Sequence, residues 1–259
     1  MRTSLLAFVL LFALPAQAAM VSRPIDYDVG GKKMQSVLVY DDAAKAPRPG
    51  LVMTPDWLGI TPDNLALARQ IAGKDYVVLV ADVYGADVRP KNPDEAGAAT
   101  KAMYADRGAL RARINAALAQ LKSQTGKAPL DGKHWGAFGF CFGGATTLDL
   151  ARSGADVAGV VSFHGNLAGD PSFKDDIKAR VLVLHGADDK FESAEQIAAF
   201  QQEMRDAKAD WQFISYGGAV HCFAIPNATG SVPGCKYDER TATRAFAQMH
   251  AFFAEVFAS

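Results

Sequence analysis

Cys141 is the side chain of this sequence that is best placed for covalent chemistry. It stands at the centre of Gly139-Phe-Cys-Phe-Gly143, between an apolar run that begins at Trp135 and a helix-like segment that continues to Ala151. The pattern Gly-x-Cys-x-Gly is that of a nucleophile elbow, where a buried strand turns sharply into a helix, with a thiol in place of the usual hydroxyl. Glycines are expected on both sides because a strained turn leaves no room for a Cβ atom. The sequence predicts a nucleophilic thiol at this turn.

A thiol is only partly ionised at neutral pH, so its attack on a carbonyl needs a base. His221 follows the last predicted strand, and Asp188 and Asp189 follow the strand that ends at Gly186. Nucleophile, acid and histidine then occur in the chain order of the α/β-hydrolase fold. We therefore expect His221 to accept the thiol proton and an aspartate to orient the imidazole. Position alone leaves the two aspartates open, since either could cap the following turn.

The other histidines of the mature chain have weaker claims to the role of base. His134 opens a strand, His185 lies inside one and His250 lies on the closing helix, whereas His164 ends a strand and could line the pocket. No pair of histidines or carboxylates has a recognised metal-ligand spacing. We expect neither a metal nor another cofactor.

Backbone groups near Cys141 are expected to support the reaction. The helix that starts near Gly143 places partial positive charge beside the sulfur, which favours the thiolate. The N–H of Phe142 and a second N–H from the loop after the Gly50–Pro55 strand would form an oxyanion hole.

The elements that must position these groups alternate along the chain. A hairpin is predicted at Pro24–Tyr40, strands are predicted at Gly50–Pro55, Tyr76–Ala81, Trp135–Phe140, Val157–Phe163, Arg180–Gly186 and Trp211–Tyr216, and helices are predicted at Thr61–Ile71, Leu110–Leu121, Gly143–Ala151, Ser193–Ala207 and Asp238–Phe257. Asp82–Glu95 and Gly217–Tyr237 are expected to be long loops. This alternation predicts one doubly wound, mostly parallel sheet with helices on both faces, whose ligands bind at the carboxyl ends of the strands.

Composition narrows the class of protein. The chain has 259 residues, of which 49% are hydrophobic, and a net charge of −1. These values suit one α/β domain, which we place at residues 19–259. No basic patch suggests nucleic acid and no polybasic segment suggests a membrane surface. We expect a monomer that acts on a small molecule.

The first 18 residues have the pattern of a secretory signal. Arg2 supplies positive charge, Leu5–Leu14 an apolar core and Ala16-Gln-Ala18 a small-residue cleavage site. The apolar run is too short to cross a bilayer. The sequence therefore predicts a periplasmic or secreted protein, with an uncleaved anchor as the weaker alternative.

Three cysteines are an odd number for an oxidising compartment. Cys222 and Cys235 bracket a short loop rich in Pro, Gly and Asn and are the easier pair to close, which would leave Cys141 free. The alternative is three reduced cysteines packed as small apolar residues.

Five segments together resemble the dienelactone hydrolase family over residues 24–257. They are Asp56-Trp-Leu-Gly-Ile60, Ala81-Asp-Val-Tyr-Gly85, Gly139-Phe-Cys-Phe-Gly-Gly144, His185-Gly-Ala-Asp-Asp189 and Tyr216-Gly-Gly-Ala-Val-His-Cys-Phe223. The resemblance implies an α/β-hydrolase fold, with Cys141 as nucleophile, Asp189 as acid and His221 as base. It also implies oxyanion N–H groups from Trp57 and Phe142. Tyr84, Phe140, His164 and Phe223 are expected around the substrate.

The sequence departs from the family pattern at two positions. A glutamate that contacts the thiol and influences its ionisation is replaced by Asp56, which is one methylene shorter. The arginine that pairs with the substrate carboxylate is absent after Tyr84, and the nearest candidate is Arg89. The resemblance therefore does not by itself assign the anionic dienelactone as the substrate.

These observations predict a cysteine-dependent hydrolase of esters or lactones that forms a thioester acyl-enzyme. One alternative is a catalytically silent binding protein that keeps the fold. Another is an acyltransferase or thioesterase that uses the same three residues.

Overall fold

The computed structural model of the protein describes residues 20–44, 46–173 and 176–258. The predicted signal segment, residues 1–18, lies outside these ranges. Within them the strands are β1 (Met20–Val29), β2 (Lys32–Asp41), β3 (Arg48–Thr54), β4 (Val77–Val80), β5 (Leu130–Phe140), β6 (Gly159–Phe163), β7 (Arg180–Gly186) and β8 (Trp211–Tyr216). The helices are α1 (Pro62–Ala72), α2 (Pro93–Ala105), α3 (Arg107–Lys122), α4 (Phe142–Arg152), α5 (Ala194–Asp206) and α6 (Glu239–Phe257).

All eight strands form one sheet in the order β1-β2-β4-β3-β5-β6-β7-β8. β2 is antiparallel to both β1 and β4, and every later neighbouring pair is parallel. The carboxyl ends of β3, β5, β6, β7 and β8 therefore meet at one edge, which is where an open α/β sheet binds its ligands. The predicted α/β-hydrolase fold with a mostly parallel sheet is confirmed.

Local sequence explains several of the element boundaries. Gly30 and Gly31 both have positive φ angles, 59° and 83°, which lets them close the tight β1–β2 hairpin. α1 begins where Thr61 Oγ1 accepts a hydrogen bond from the Asn64 N–H at 3.1 Å, with Pro62 next in the chain.

Two apolar layers lie on opposite faces of the sheet. Side chains of α1 and α6 pack with one set of strand residues, which includes Met53, Phe138 and Phe163. Side chains of α3, α4 and α5 pack with the other set, which includes Val52 and Ala137. Because successive strand residues point to opposite faces, neighbours such as Val52 and Met53 belong to different layers. Helices therefore cover both faces, as the strand–helix alternation predicts.

The prediction of a loop through Glu95 is wrong at its end, because α2 starts at Pro93 and continues to Ala105. The Asn92 side chain accepts a hydrogen bond from the Glu95 N–H at 2.9 Å, which is a normal helix start. The helix has little apolar patterning, with Ala96 and Met103 as its buried residues. No helix in the described ranges is both long and apolar enough to cross a membrane.

Candidate active site

The junction between β5 and α4 presents Cys141 at a sharp turn. Cys141 has φ 54° and ψ −118°, which a residue with a side chain rarely adopts. A Cβ on Gly143 would lie closer than 3.0 Å to the carbonyl oxygens of Thr54 and Pro55, and one on Gly139 would meet the backbone of Gly143. The glycines are therefore required by close backbone packing, as the sequence pattern predicts.

Three of the predicted side chains form one hydrogen-bonded chain. The Sγ of Cys141 lies 3.2 Å from Nε2 of His221, and Nδ1 of His221 lies 2.7 Å from Oδ2 of Asp189. The other carboxylate oxygen of Asp189 accepts the Phe191 N–H at 2.9 Å, which fixes the carboxylate. The open choice between the aspartates is thus resolved geometrically, because it is Asp189 that contacts the imidazole.

The surroundings of His221 favour its charged form. Burial by itself lowers the pKa of this imidazole, but the hydrogen bonds to Asp189 and Cys141 outweigh that effect and raise the pKa to about 10. An imidazolium beside the sulfur stabilises a thiolate by direct charge attraction. The arrangement can therefore hold a nucleophile and a proton donor side by side.

His164 lies under the triad in a way that the sequence did not reveal. Its Nδ1 accepts a hydrogen bond from the Cys141 N–H at 3.2 Å, and its ring meets that of His221 edge to face at 5.0 Å. Burial lowers the pKa of His164 well below its ordinary value, and His221 adds to the effect. His164 is therefore neutral and supports the backbone of Cys141, with a φ of 40° that marks a strained strand end.

Asp56 shares the cavity with Cys141 but is held by its own loop. Its Oδ1 accepts hydrogen bonds from the Leu58 N–H at 2.9 Å and from Nδ2 of Asn64 at 3.0 Å. Burial raises the pKa of Asp56, and these hydrogen bonds oppose that rise. No hydrogen bond joins Asp56 to Cys141 in the part of the chain that the structure describes. The orientation of Asp56 is thus set by Leu58 and Asn64.

The predicted oxyanion donors lie on the two sides of the elbow. Phe142 is the first residue of α4, so its N–H has no partner within the helix. Trp57 lies in the loop after β3 and lines the cavity that contains Cys141. Phe142 thus directly follows Cys141 in the chain, and Trp57 borders the same cavity.

A cavity of about 530 Å³ opens beside Cys141, between the start of α1 and the loop that follows His221. Its lining includes Trp57, Leu58, Leu67, Ile225, Pro226, Val232 and the Cys222–Cys235 pair. The four side chains expected around the substrate, Tyr84, Phe140, His164 and Phe223, are not among the lining residues.

Three of those four residues support the site from within the core. Tyr84 stacks on Phe142 at 5.4 Å between ring centroids and donates its hydroxyl hydrogen to the Trp57 carbonyl at 2.9 Å. Phe140 and Phe223 are completely buried, and both pack near His164. Phe140 ends β5, whereas Tyr84 and Phe223 lie in loops, and the burial of all three depends on long-range packing.

Two large, exposed apolar side chains flank the site. Neither was predicted from the sequence. Phe191 is 51% exposed, and its ring lies 4.7 Å from that of His221. Tyr104 is 37% exposed and meets the Phe142 ring edge to face at 5.5 Å. Phe191 lies two residues after Asp189, so its position in the sequence already indicates that it is close to the site.

A disulfide joins Cys222 to Cys235, and Cys141 is the free cysteine of the described chain. Lys236 beside the bridge donates its N–H to the carbonyl of His221 at 2.9 Å. Both ends of the 222–235 loop are therefore tied to the segment that carries His221.

Arg89, the nearest candidate for a substrate-binding arginine, is held by its own surroundings. Its guanidinium donates to the carbonyls of Gly85 at 2.6 Å and Val88 at 3.0 Å and pairs with Asp82 at 3.2 Å. It is not among the residues that line the cavity. Within the described ranges, no group of three or more His, Cys, Asp or Glu residues is arranged to hold a metal ion.

Comparison with known proteins gives one consistent family. The family model described as the dienelactone hydrolase family matches residues 34–257. The crystal structure of a dienelactone hydrolase-like promiscuous phosphotriesterase from metagenomic libraries is 36% identical, with a TM-score of 0.84 over 92% of this chain and 99% of that one.

The chain is also similar to two curated proteins. An uncharacterized protein of Caenorhabditis elegans is 40% identical over 60% of this chain and 100% of its own length. The "Putative carboxymethylenebutenolidase" of Salmonella typhimurium is 22% identical over 87% of this chain and 84% of its own length.

Proposed function

The chain belongs to the dienelactone hydrolase family and is a hydrolase of carboxylic esters or lactones, and on that premise we propose that Cys141, His221 and Asp189 are its catalytic triad. The observation that carries the proposal is the hydrogen-bonded chain from Sγ through the imidazole to Asp189, with distances of 3.2 and 2.7 Å.

In the first half of the reaction, the Cys141 thiolate attacks the carbonyl carbon and the carbonyl oxygen becomes an oxyanion. The N–H groups of Trp57 and Phe142 stabilise that charge. When the tetrahedral intermediate collapses, the carbon–oxygen bond to the alcohol breaks and His221 gives its proton to the leaving alkoxide. The product of this half is a thioester on Cys141.

The second half requires His221 to act as a base, and acylation itself favours that change. Contact with Cys141 is one cause of the raised pKa of His221. Once the sulfur carries an acyl group, its negative charge is gone and the pKa of His221 falls. The imidazole then takes a proton from water, the resulting hydroxide attacks the thioester, and the thiolate leaves to regenerate the enzyme.

The test compares wild type with Cys141→Ala on p-nitrophenyl acetate and small lactones. We expect activity to fall to the background rate in the variant, with thermal stability measured alongside to show that the fold is retained. Intact-mass spectrometry of wild type quenched during turnover should show one added acyl group, absent from the variant. Comparable activity without the thiol would refute the nucleophile assignment.

Two rival functions make different predictions in the same samples. A silent binding protein would show no turnover, and its thiol would react with iodoacetamide only at the pH of an ordinary cysteine. An acyltransferase would pass the acyl group to an added alcohol or thiol in preference to water, so product analysis identifies it. A hydrolase releases the free acid in the presence of either acceptor.

Substrate class is best approached with a panel of esters and lactones. It should include the dienelactone named by the family and a phosphotriester, the class named for the 36% identical relative. Since Arg89 is held by Asp82 and main-chain carbonyls, we expect neutral esters to be cleaved better than the anionic dienelactone.

We also propose that the protein is periplasmic or secreted and acts as a monomer. The signal-like residues 1–18 and the Cys222–Cys235 disulfide support the first point. Cell fractionation with N-terminal sequencing should find a mature chain that starts at Ala19, and size-exclusion chromatography with light scattering should give the mass of one chain. A cytoplasmic protein with residues 1–18 intact would refute the location.

A further inference from the structure

The charges around the cavity are few and unevenly buried. Asp56, Asp63 and Lys91 are the charged side chains among the described lining residues. Asp63 and Lys91 are exposed, whereas Asp56 is only 8% exposed. Among these three lining side chains, the buried charge is therefore the carboxylate of Asp56.

Asp56 is fixed in place by the loop and by α1. Asn64, itself 4% exposed, donates from Nδ2 to Asp56 Oδ1 at 3.0 Å and to the Gly59 carbonyl at 2.9 Å. The Leu58 N–H binds the same carboxylate oxygen at 2.9 Å. Its second oxygen, Oδ2, has no hydrogen-bond partner among the described residues.

Asp56 places its carboxylate on the wall of the cavity in which Cys141 would attack an ester. It directly precedes Trp57, whose N–H is assigned to the oxyanion hole, and it lines the same cavity as Cys141. The guanidinium of Arg89 does not offset this charge, because it pairs with Asp82 and lies outside the lining. The imidazolium of His221 contacts Asp189 at 2.7 Å and the Cys141 sulfur at 3.2 Å, so its charge is already matched by these partners. A negatively charged group near the scissile bond would therefore face the carboxylate of Asp56.

We propose that Asp56 is a specificity-determining residue that rejects substrates with a negative charge near the scissile bond, so that the natural substrates are neutral esters or lactones. The proposal rests on the proposed function, because it takes attack by Cys141 as given. It assigns Asp56 a role in substrate selection in place of direct contact with the thiol.

The expected effect follows from charge repulsion over a short distance. Two like charges several ångströms apart at the effective dielectric of a partly buried site repel strongly enough to change a rate by about tenfold or more. A neutral group of similar size has no such penalty, and a cation is attracted. The rate constant kcat/KM should therefore rise from anionic to neutral to cationic substrates.

Three phenyl acetates provide a matched series. Their meta substituents are carboxylate, carboxamide and trimethylammonium, and all three form the same acetyl-enzyme, so kcat/KM differences arise in binding and acylation. Each value is divided by the hydroxide-catalysed rate constant of the same ester to remove differences in chemical reactivity. For wild type at pH 8 we expect the neutral ester to exceed the anionic ester by about tenfold or more.

Asp56→Asn removes the charge while keeping an oxygen that can accept from Leu58 and Asn64. We expect the neutral-to-anionic ratio to fall by about tenfold in this variant. Asp63→Asn is the matched control, since it removes a carboxylate from the exposed rim, and its ratio should stay close to that of wild type.

Several outcomes would overturn the proposal. They are a wild-type ratio near one, a ratio that Asp56→Asn leaves unchanged, and an equal fall of the ratio in Asp63→Asn. If Asp56→Asn does not fold, Asp56→Ser removes the same charge, and its neutral-to-anionic ratio is measured in the same way. Cys141→Ala is assayed in parallel, because activity that survives there refutes the proposed nucleophile, whereas the ratio tests the charge selection alone.

Discussion

Gly143→Ala tests whether the elbow is as tightly packed as the structure indicates. The added Cβ would lie closer than 3.0 Å to the carbonyl oxygens of Thr54 and Pro55, which are main-chain atoms and cannot rotate away. Either α4 or the end of β3 must move. Overpacking of this kind costs about 3 kcal/mol, which for a chain of this size lowers Tm by about 6–12 °C.

The same displacement should reach the chemistry. Phe142 precedes Gly143, and Trp57 follows the β3 end that the new methyl group pushes, so the proposed oxyanion donors would separate. Loss of one such donor lowers kcat by about 10²–10³-fold. The assay is run at a temperature where the variant is still folded. We expect kcat to fall there by far more than any loss of folded protein explains.

The measurement is calorimetry together with ester hydrolysis, with Gly97→Ala as the control. Gly97 lies on α2, and a Cβ added there would meet no atom within 4 Å, so alanine should stabilise that helix by about 1 kcal/mol. The same glycine-to-alanine substitution is thus expected to lower stability at position 143 and to raise it at position 97. A Gly143→Ala protein with wild-type Tm and kcat would refute the close packing of the elbow.

Three further predictions concern the triad and its loop. Asp189→Asn removes the 2.7 Å partner of His221, and kcat/KM should fall by about 10²–10⁴-fold in steady-state assays because the imidazolium loses its support; an unchanged value would contradict the triad. Because the folded pKa of His221 is raised to about 10, its contribution to stability should be full below about pH 6.5 and decline as pH rises towards 10, which urea unfolding at several pH values measures. Reduction of the Cys222–Cys235 bridge, with a sequence separation of 13, should lower the free energy of unfolding by about 3 kcal/mol and reduce activity in the same samples. A stability that is insensitive to reductant would show that the disulfide does not stabilise the segment that carries His221.

Sequence predicted best what depends on short patterns. The hairpin at Gly30 and Gly31 and the start of α1 at Thr61 follow from local conformational preferences, and the structure has both. Cys141 and His221 could be predicted as neighbours because both follow strand ends and their order along the chain excludes most of the other histidines. The start of α2 carried a signal that was overlooked, since Asn92 and Pro93 repeat the arrangement of Thr61 and Pro62.

What sequence could not predict depends on contacts between distant segments. Phe140 ends β5 and Phe223 lies in the loop after β8, but both are buried because α6 and the neighbouring strands cover them. The hydrogen bond from the Cys141 N–H to His164 requires two adjacent strands to end at the same height. The orientation of the Asp56 carboxylate depends on a hydrogen bond from Asn64, which lies 8 residues further along the chain.

The spacing of the three cysteines has a consequence for how the chain oxidises. Cys222 can pair with Cys235 across 13 residues or with Cys141 across about 80. Loop-closure entropy favours the short pairing by about fifteenfold in the unfolded chain, even before any native contact forms. Cys235 therefore competes for Cys222 ahead of Cys141, and its position favours an oxidised chain in which Cys141 keeps its thiol.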